Sequence, residues 1–336
     1  MKIWHSITTG GPETLQLVER PDPLPGPRDV LVNVAACGIN FPDSLIIRDL
    51  YQVKPPRPFA PGGEIAGTIA AIGKEVTGFA IGDRVMARPG WGGLATRIVI
   101  PAEQCTRIPP LMPFEEAAAF FFTYLTSYHA LTQRGRVAAG DRVLVLGAAG
   151  GTGVAAIEIA KAAGATVIAA VSSEEKAAFA RQCGADDAVV YPRGKLDKGQ
   201  SKALADTFKA ALGEFGADGA DIVYDPVGGD YAEPALRSIA WKGRYLVVGF
   251  AAGIPTIPLN LALLKGCEIV GVFNGGFLAR EPETAKANVR ELLRLYEAGK
   301  IRPRVSARYP FERAREAIEH IAARGAIGKL VVEMPR

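Results

Sequence analysis

The run Arg142-Val143-Leu144-Val145-Leu146-Gly147-Ala148-Ala149-Gly150-Gly151-Thr152-Gly153 carries an apolar strand into a glycine-rich turn and on into a helical pattern. That order of elements suits a bound anion. The first amides of a helix have no intrahelical acceptor, that end carries partial positive charge, and glycines let a pyrophosphate approach without meeting a Cβ. Against the pattern G-x-G-x-x-G, the segment from Ala148 to Gly153 matches at Gly150 and Gly153 and has alanine first. Ala148, Gly150, Gly151, Thr152 and Gly153 are therefore the candidate dinucleotide cradle. The flanks are those of a βαβ unit: Val154, Ile157 and Ala160 share one helical face, Gly164 is placed to stop the helix, and Thr166 to Val171 reads as the next buried strand. The competing reading is a purely structural glycine turn.

A site that prefers NAD usually has an acidic residue about 20 residues past the glycines, bonding the ribose 2′-hydroxyl. Here the second strand ends Ala169-Ala170-Val171-Ser172-Ser173, with no carboxylate at its tip. A 2′-phosphate would meet no fixed negative charge there. Ser172 and Ser173 can donate hydrogen bonds to it, and Lys176 follows one helical turn later, so NADPH is the expected cofactor. Glu174 and Glu175 argue the other way unless they serve the helix dipole and point aside. Ser173-Glu174-Glu175-Lys176 also reads as an ordinary helix start.

Around these residues the chain changes character near Phe122. Before it, short apolar runs (Val30 to Ala35, Glu64 to Ile72, Arg84 to Ala87, Leu94 to Ile100) alternate with proline-rich turns, as in a compact β-barrel-like domain. After it, strands alternate with helical segments, which implies a doubly wound parallel sheet and an α/β fold. The expected strands are Val143 to Leu146, Val167 to Val171, Ala188 to Tyr191, Ile222 to Tyr224, Tyr245 to Val248 and Ile269 to Phe273. Helices near 284–298 and 311–323 and the strand Lys329 to Glu333 are expected to return to the first domain. The boundaries read from sequence are 1–122 with 263–336 for the β-rich domain and 123–262 for the nucleotide domain.

Composition narrows the function classes. A chain of 336 residues with 49% hydrophobic content has ample material for two cores. Its net charge of +4 is dispersed, which argues against nucleic acid as a partner. No apolar run approaches the roughly 20 residues of a membrane span, and Met1-Lys2-Ile3-Trp4-His5 begins no signal peptide, so a cytoplasmic protein is expected. Cys37, Cys105, Cys183 and Cys267 lie far apart, and His5, His129 and His320 form no spaced ligand set, so neither disulfides nor a metal is expected.

Six blocks in order carry a resemblance over nearly the whole chain: Cys37 to Asp43, Pro58 to Glu64, Thr126 to Leu131, Gly147 to Gly153, Tyr224 to Gly229 and Gly328 to Val332. The sequence resembles the zinc-free, zeta-crystallin-like quinone oxidoreductase branch of the medium-chain dehydrogenase/reductase superfamily. That resemblance implies a GroES-like catalytic domain built from both chain ends, with a Rossmann NADPH-binding domain between. In the zinc alcohol dehydrogenases of the superfamily, a cysteine and a histidine ligand stand where this sequence has Asn40 and Gly63, neither a plausible zinc ligand. The lobe of four clustered cysteines is missing as well.

What the resemblance implies is hydride transfer from C4 of NADPH to a quinone or an α,β-unsaturated carbonyl, carried mainly by positioning. Asn40 is the candidate for orienting the nicotinamide ribose or substrate oxygen, with an Asx-turn role as the alternative. Tyr51 is the candidate donor to the developing oxyanion, with a packed aromatic as the alternative. The family often has a tyrosine two positions after the aspartate; this chain has Leu45. By the same resemblance Thr126 lies on the nicotinamide side, Tyr191 joins Lys176 near the adenosine phosphate, Phe250 and Asn274 border the cofactor, and Arg324 reaches toward the 2′-phosphate. A 2-alkenal or enoyl-thioester reductase, or an NADPH-binding sensor or structural protein with little turnover, would use the same residues. The apolar late strand, with the resemblance, also suggests a homodimer paired edge to edge.

Overall fold

The structure is a computed structural model that describes residues 1–335. It has the expected α/β class and divides into two units: Met1–Phe122 with the chain from Pro303 onward, and Thr123–Arg302.

The first unit is built on a seven-stranded sheet, in the order Val305–Pro310, Lys329–Glu333, Asp29–Ile39, Glu64–Ile72, Arg84–Ala87 and Cys105–Arg107, with Arg97–Pro101 also paired to Asp29–Ile39. All pairings are antiparallel except the one between the two late strands. Val30, Val32, Ile39, Ile65, Ile69, Val85, Leu330 and Val332 are buried in one core with Phe311 and Ile318. Lys2–Ser6 and Leu15–Glu19 form a separate ribbon, tied down where Trp4 Nε1 donates to the Phe311 carbonyl at 2.8 Å. The two ends of the chain thus close the same core.

In the second unit six strands run parallel in the spatial order Asp187–Val190, Thr166–Val171, Arg142–Leu146, Ala220–Asp225, Ile239–Val247, Glu268–Gly271. Numbered along the chain, that order is 3-2-1-4-5-6, the doubly wound arrangement whose strand order reverses between the first and fourth strands. Ligands of such sheets gather at the carboxyl ends of the strands beside that reversal. The strands are near-continuous apolar runs because both faces are covered by helices.

The domain limit at residue 263 is corrected by the structure. Residues 263–302 belong to the parallel-sheet unit, and the return to the β-rich unit comes at Pro303. The physical reason is the pairing of Glu268–Gly271 along Arg244–Val247, which makes it the sixth strand. Helix Pro282–Glu297 stays with the same unit, where Asn288 exchanges hydrogen bonds with Gln133 at 2.9 and 3.2 Å.

Candidate functional site

In the parallel-sheet unit the site begins where strand Arg142–Leu146 ends. Gly147 adopts φ +59°, which turns the chain off the sheet, and a Cβ there would meet Val227 Cγ2 at 2.8 Å. Gly150 is the N-cap of helix Gly151–Ala162 and has no side chain to fill the helix end. The first helical bond is made by Val154 to Gly150 at 2.8 Å, so the amides of Gly151, Thr152 and Gly153 precede the ladder. The two motif glycines have different jobs. A Cβ on Gly153 would strike the Gly147 carbonyl at 2.4 Å, whereas one on Gly150 would only touch it at 3.4 Å. Gly153 lets helix and turn pack; Gly150 keeps the helix end uncovered.

Across the reversal of strand order, Asp225 braces the neighbouring loop. Its Oδ1 accepts from Val227 and Gly228 amides at 2.7 and 2.8 Å, and its Oδ2 from the Tyr245 hydroxyl. Burial pushes its carboxyl pKa up while those donors pull it down. Phe250 lies 44% exposed after the fifth strand, and its Cδ1 is 3.2 Å from where a Gly228 Cβ would stand.

At the second strand's end, Ser173 caps helix Glu174–Gln182, its Oγ accepting from the Lys176 amide at 3.3 Å. The helix-start reading of Ser173 is therefore realised, and its hydroxyl hydrogen is what it has left for a ligand. Ser172 is half-buried beside it. Lys176 is only 9% exposed; burial lowers its pKa, the positive charge of Arg193 lowers it further, and Glu175 opposes both. Arg193 follows the third strand, is exposed, and was not picked out from sequence, where it looks like a loop cation. Tyr191 is buried against Tyr231, with ring centroids 4.6 Å apart and the planes tilted by 43°.

Thr126 and Asn274, 148 residues apart, are brought together: Asn274 Nδ2 donates to Thr126 Oγ1 at 2.9 Å. Asn274 is 6% exposed, and its Oδ1 is buried without a partner. A buried orphan acceptor costs stability unless a ligand donor meets it, and the carboxamide N–H of a nicotinamide is such a donor. Together with the uncovered helix end, this makes the donor and acceptor set of the unit fit a dinucleotide. Arg324 belongs to the β-rich unit, exposed, at φ +55° just past helix Ala314–Ala322, where a left-handed residue ends the helix.

In the β-rich unit Asn40 stands before helix Phe41–Ile46, and both ends of its side-chain amide are engaged. Its Oδ1 accepts from Lys329 Nζ at 2.6 Å, and its Nδ2 donates to Glu64 Oε1 at 2.9 Å. Lys329 Nζ also reaches Glu64 Oε1 at 2.6 Å and the Ile39 carbonyl at 3.2 Å. The second oxygen of Glu64 accepts from the Phe122 amide at 2.8 Å. Asp43 takes the Asn40 amide at 2.7 Å and the Gly62 amide at 2.9 Å, yet burial outweighs these bonds and raises its pKa to about 6. Tyr51 is half-buried; burial raises its pKa, and the nearby charge of Arg88 lowers it. Glu64, Lys329 and Arg88 were not assigned roles from sequence. The available signal was a charged residue at the first position of an otherwise apolar strand, as in Glu64-Ile65-Ala66 and Lys329-Leu330-Val331.

These residues do not fit a zinc ion. Asn40 Oδ1 and Glu64 already hold an ammonium cation, and position 63 has no side chain. Among the described residues no group of three or more His, Cys, Asp or Glu converges as a metal site. None of the helices is long and apolar enough to cross a membrane.

Residues 26–110 match the alcohol dehydrogenase GroES-like domain family, and residues 151–295 match the zinc-binding dehydrogenase family. A quinone oxidoreductase of Pseudomonas aeruginosa is 36% identical over 96% of both chains. The quinone oxidoreductase-like protein 2 of Rattus norvegicus is 35% identical over 96% of this chain and 89% of its own length. Among solved structures, Escherichia coli quinone oxidoreductase complexed with NADPH superposes with a TM-score of 0.88 at 29% identity, covering 99% of this chain and 100% of the other.

Proposed function

Because this chain belongs to the quinone oxidoreductase branch of the medium-chain dehydrogenase/reductase superfamily, we propose that it uses NADPH to reduce a quinone or related conjugated carbonyl, by direct hydride transfer and without zinc. The observation that carries this reading is the set of groups at the carboxyl ends of three adjacent parallel strands. An uncovered helix end follows the first, Lys176 follows the second, and Arg193 follows the third. Two cations that follow adjacent strands, with no carboxylate at the second strand's tip, favour a dianionic 2′-phosphate over a hydroxyl.

When bound, NADPH supplies a hydride from C4 of its nicotinamide. The amides of Gly151, Thr152 and Gly153 receive the pyrophosphate, while Lys176 and Arg193, with the hydroxyls of Ser172 and Ser173, hold the 2′-phosphate. Tyr191 joins Lys176 near the adenosine phosphate, and Phe250 borders the cofactor. Asn274, fixed by Thr126, offers its free Oδ1 to the carboxamide and so sets which face of the ring is presented. Tyr51 donates its hydroxyl hydrogen to an oxygen of the acceptor. Asn40, already bonded at both ends, positions this region through Lys329 and Glu64.

Lys176→Ala should raise the Kd for NADPH by about tenfold or more, as expected for a lost charge-assisted bond, and that for NADH much less. Equal effects on both would remove the 2′-phosphate assignment. No binding of either nucleotide in a fluorescence titration would overturn the whole reading.

The protein is proposed to work as a homodimer in the cytosol. Glu268–Gly271 is an open edge of the parallel sheet, flanked by exposed Trp241, Leu263, Leu264, Ile269 and Phe273. A second copy adding its own edge would pair the free backbone groups and cover these side chains. Sedimentation at micromolar concentration should give twice the chain mass; a single-chain mass would refute it. The four cysteines are all unpaired, which suits a reducing compartment.

A further inference from the structure

Arg88 follows strand Arg84–Ala87 in the β-rich unit, its guanidinium carbon 4.6 Å from the centre of the Phe122 ring. The Nη1 nitrogen is buried and has no hydrogen-bond partner. The nearby carboxylates do not neutralise it by contact, and their bonds explain why. Glu64 spends Oε1 on Lys329 and Asn40 and Oε2 on the Phe122 amide, while Asp43 spends both oxygens on the Asn40 and Gly62 amides. Arg88 feels the charge of Glu64 without a bond to it. Tyr51, within electrostatic reach of Arg88, has no hydrogen bond from its hydroxyl to the described protein. Arg88 thus lies over a flat ring with Tyr51 within electrostatic reach, and the chain supplies no acceptor to its Nη1 or to the tyrosine hydroxyl.

Leaving a guanidinium N–H dry and unmatched is costly, so such an arrangement is complementary to an oxygen anion that arrives from outside. The place is also telling. A Cβ on Gly63 would lie 3.6 Å from Phe122 Cε2 and 3.2 Å from the Gly90 carbonyl, so Arg88 and its aromatic support border the position where a zinc-ligating side chain would project. A fixed cation is present here in another form.

We propose that Arg88, with Tyr51, binds an anionic oxygen of the acceptor, so that this enzyme selects conjugated carbonyls or quinones bearing an acidic substituent such as a carboxylate or sulfonate. The proposal rests on the reductase reading for the word acceptor, but the anion site can be measured without turnover. The test is calorimetric titration of the full chain with a naphthoquinone sulfonate and with the unsubstituted naphthoquinone, for the native protein and for Arg88→Gln, Arg88→Lys and Tyr51→Phe.

The native protein should bind the sulfonate at least about tenfold more tightly than its neutral parent, the size of one charge-assisted bond. Arg88→Gln should erase that preference, Arg88→Lys should keep part of it, and Tyr51→Phe should reduce it in a protein whose Arg88 packing is untouched. The proposal is overturned if the native protein shows no preference, or if the preference survives Arg88→Gln; the guanidinium would then be only a clamp on Phe122. NADPH oxidation with the same pair reads the other question separately. Selective binding without any oxidation would leave the anion site standing and remove the reductase reading.

Discussion

The glycine turn of the parallel-sheet unit and the polar cluster of the β-rich unit handle charge in opposite ways. The turn uses seven consecutive residues, Gly147 to Gly153, and offers backbone amides whose direction is set by helix geometry. The cluster gathers Asn40, Asp43, Glu64 and Lys329 from separate strands and a helix start, and each buried charge among them is tolerable only because another segment answers it. Backbone sites are robust to most side-chain changes and fragile to added bulk. Side-chain networks are the reverse: bulk matters little, and one missing partner strands the others.

The contrast would be tested most severely at Lys329. Replacing it with Met should cost about 3–5 kcal/mol in urea unfolding, because Glu64 is left buried without its cation. Adding Glu64→Gln should recover part of that loss. A single-variant cost below about 1 kcal/mol would mean that the network is not mutually dependent.

Asp43 sharpens the same point through pH. Its pKa is raised from 3.8 to about 6, so between those values the folded protein holds more of this proton than the unfolded chain does. Stability from this group therefore falls as pH rises through about 4 to 6, by up to about 3 kcal/mol. Unfolding curves across that window should show the slope in the native protein and lose it in Asp43→Asn, whatever the latter's absolute stability.

The smallest expected effects lie in the turn, and there they separate fold from binding. Gly153→Ala forces a Cβ onto the Gly147 carbonyl and should cost about 1–3 kcal/mol. Gly150→Ala, with only a 3.4 Å contact, should change stability by no more than about 0.5 kcal/mol while weakening NADPH binding. If Gly150→Ala bound NADPH normally, the uncovered helix end would not be where the pyrophosphate sits.

What could be read in the sequence follows the same division. The strand, glycine turn and helix around Gly150 are neighbours along the chain, so pattern alone located them, and the alternation after Phe122 announced the doubly wound sheet. Ser173 showed a cap and a ligand donor with equal plausibility, because the same hydroxyl serves both. Lys329 stood in plain view in a strand motif, but nothing local points to a partner 265 residues away. Arg88 looked like an ordinary cation after a strand; only the exhaustion of Glu64 and Asp43 by other donors makes it unusual. The limit at 263 failed for a related reason, since strand Glu268–Gly271 is assigned by whom it pairs with, which its own residues do not state.

The bond between Lys329 and Glu64 also imposes an order on biosynthesis. A ribosome releases Glu64 265 residues before Lys329, and in that interval the entire Thr123–Arg302 excursion emerges and can complete its own sheet. Throughout elongation Glu64 has the Asn40 amide and then the Phe122 amide to accept from, but not its buried cation. Nascent chains arrested before residue 329 should therefore present a finished Rossmann half tethered to an open one.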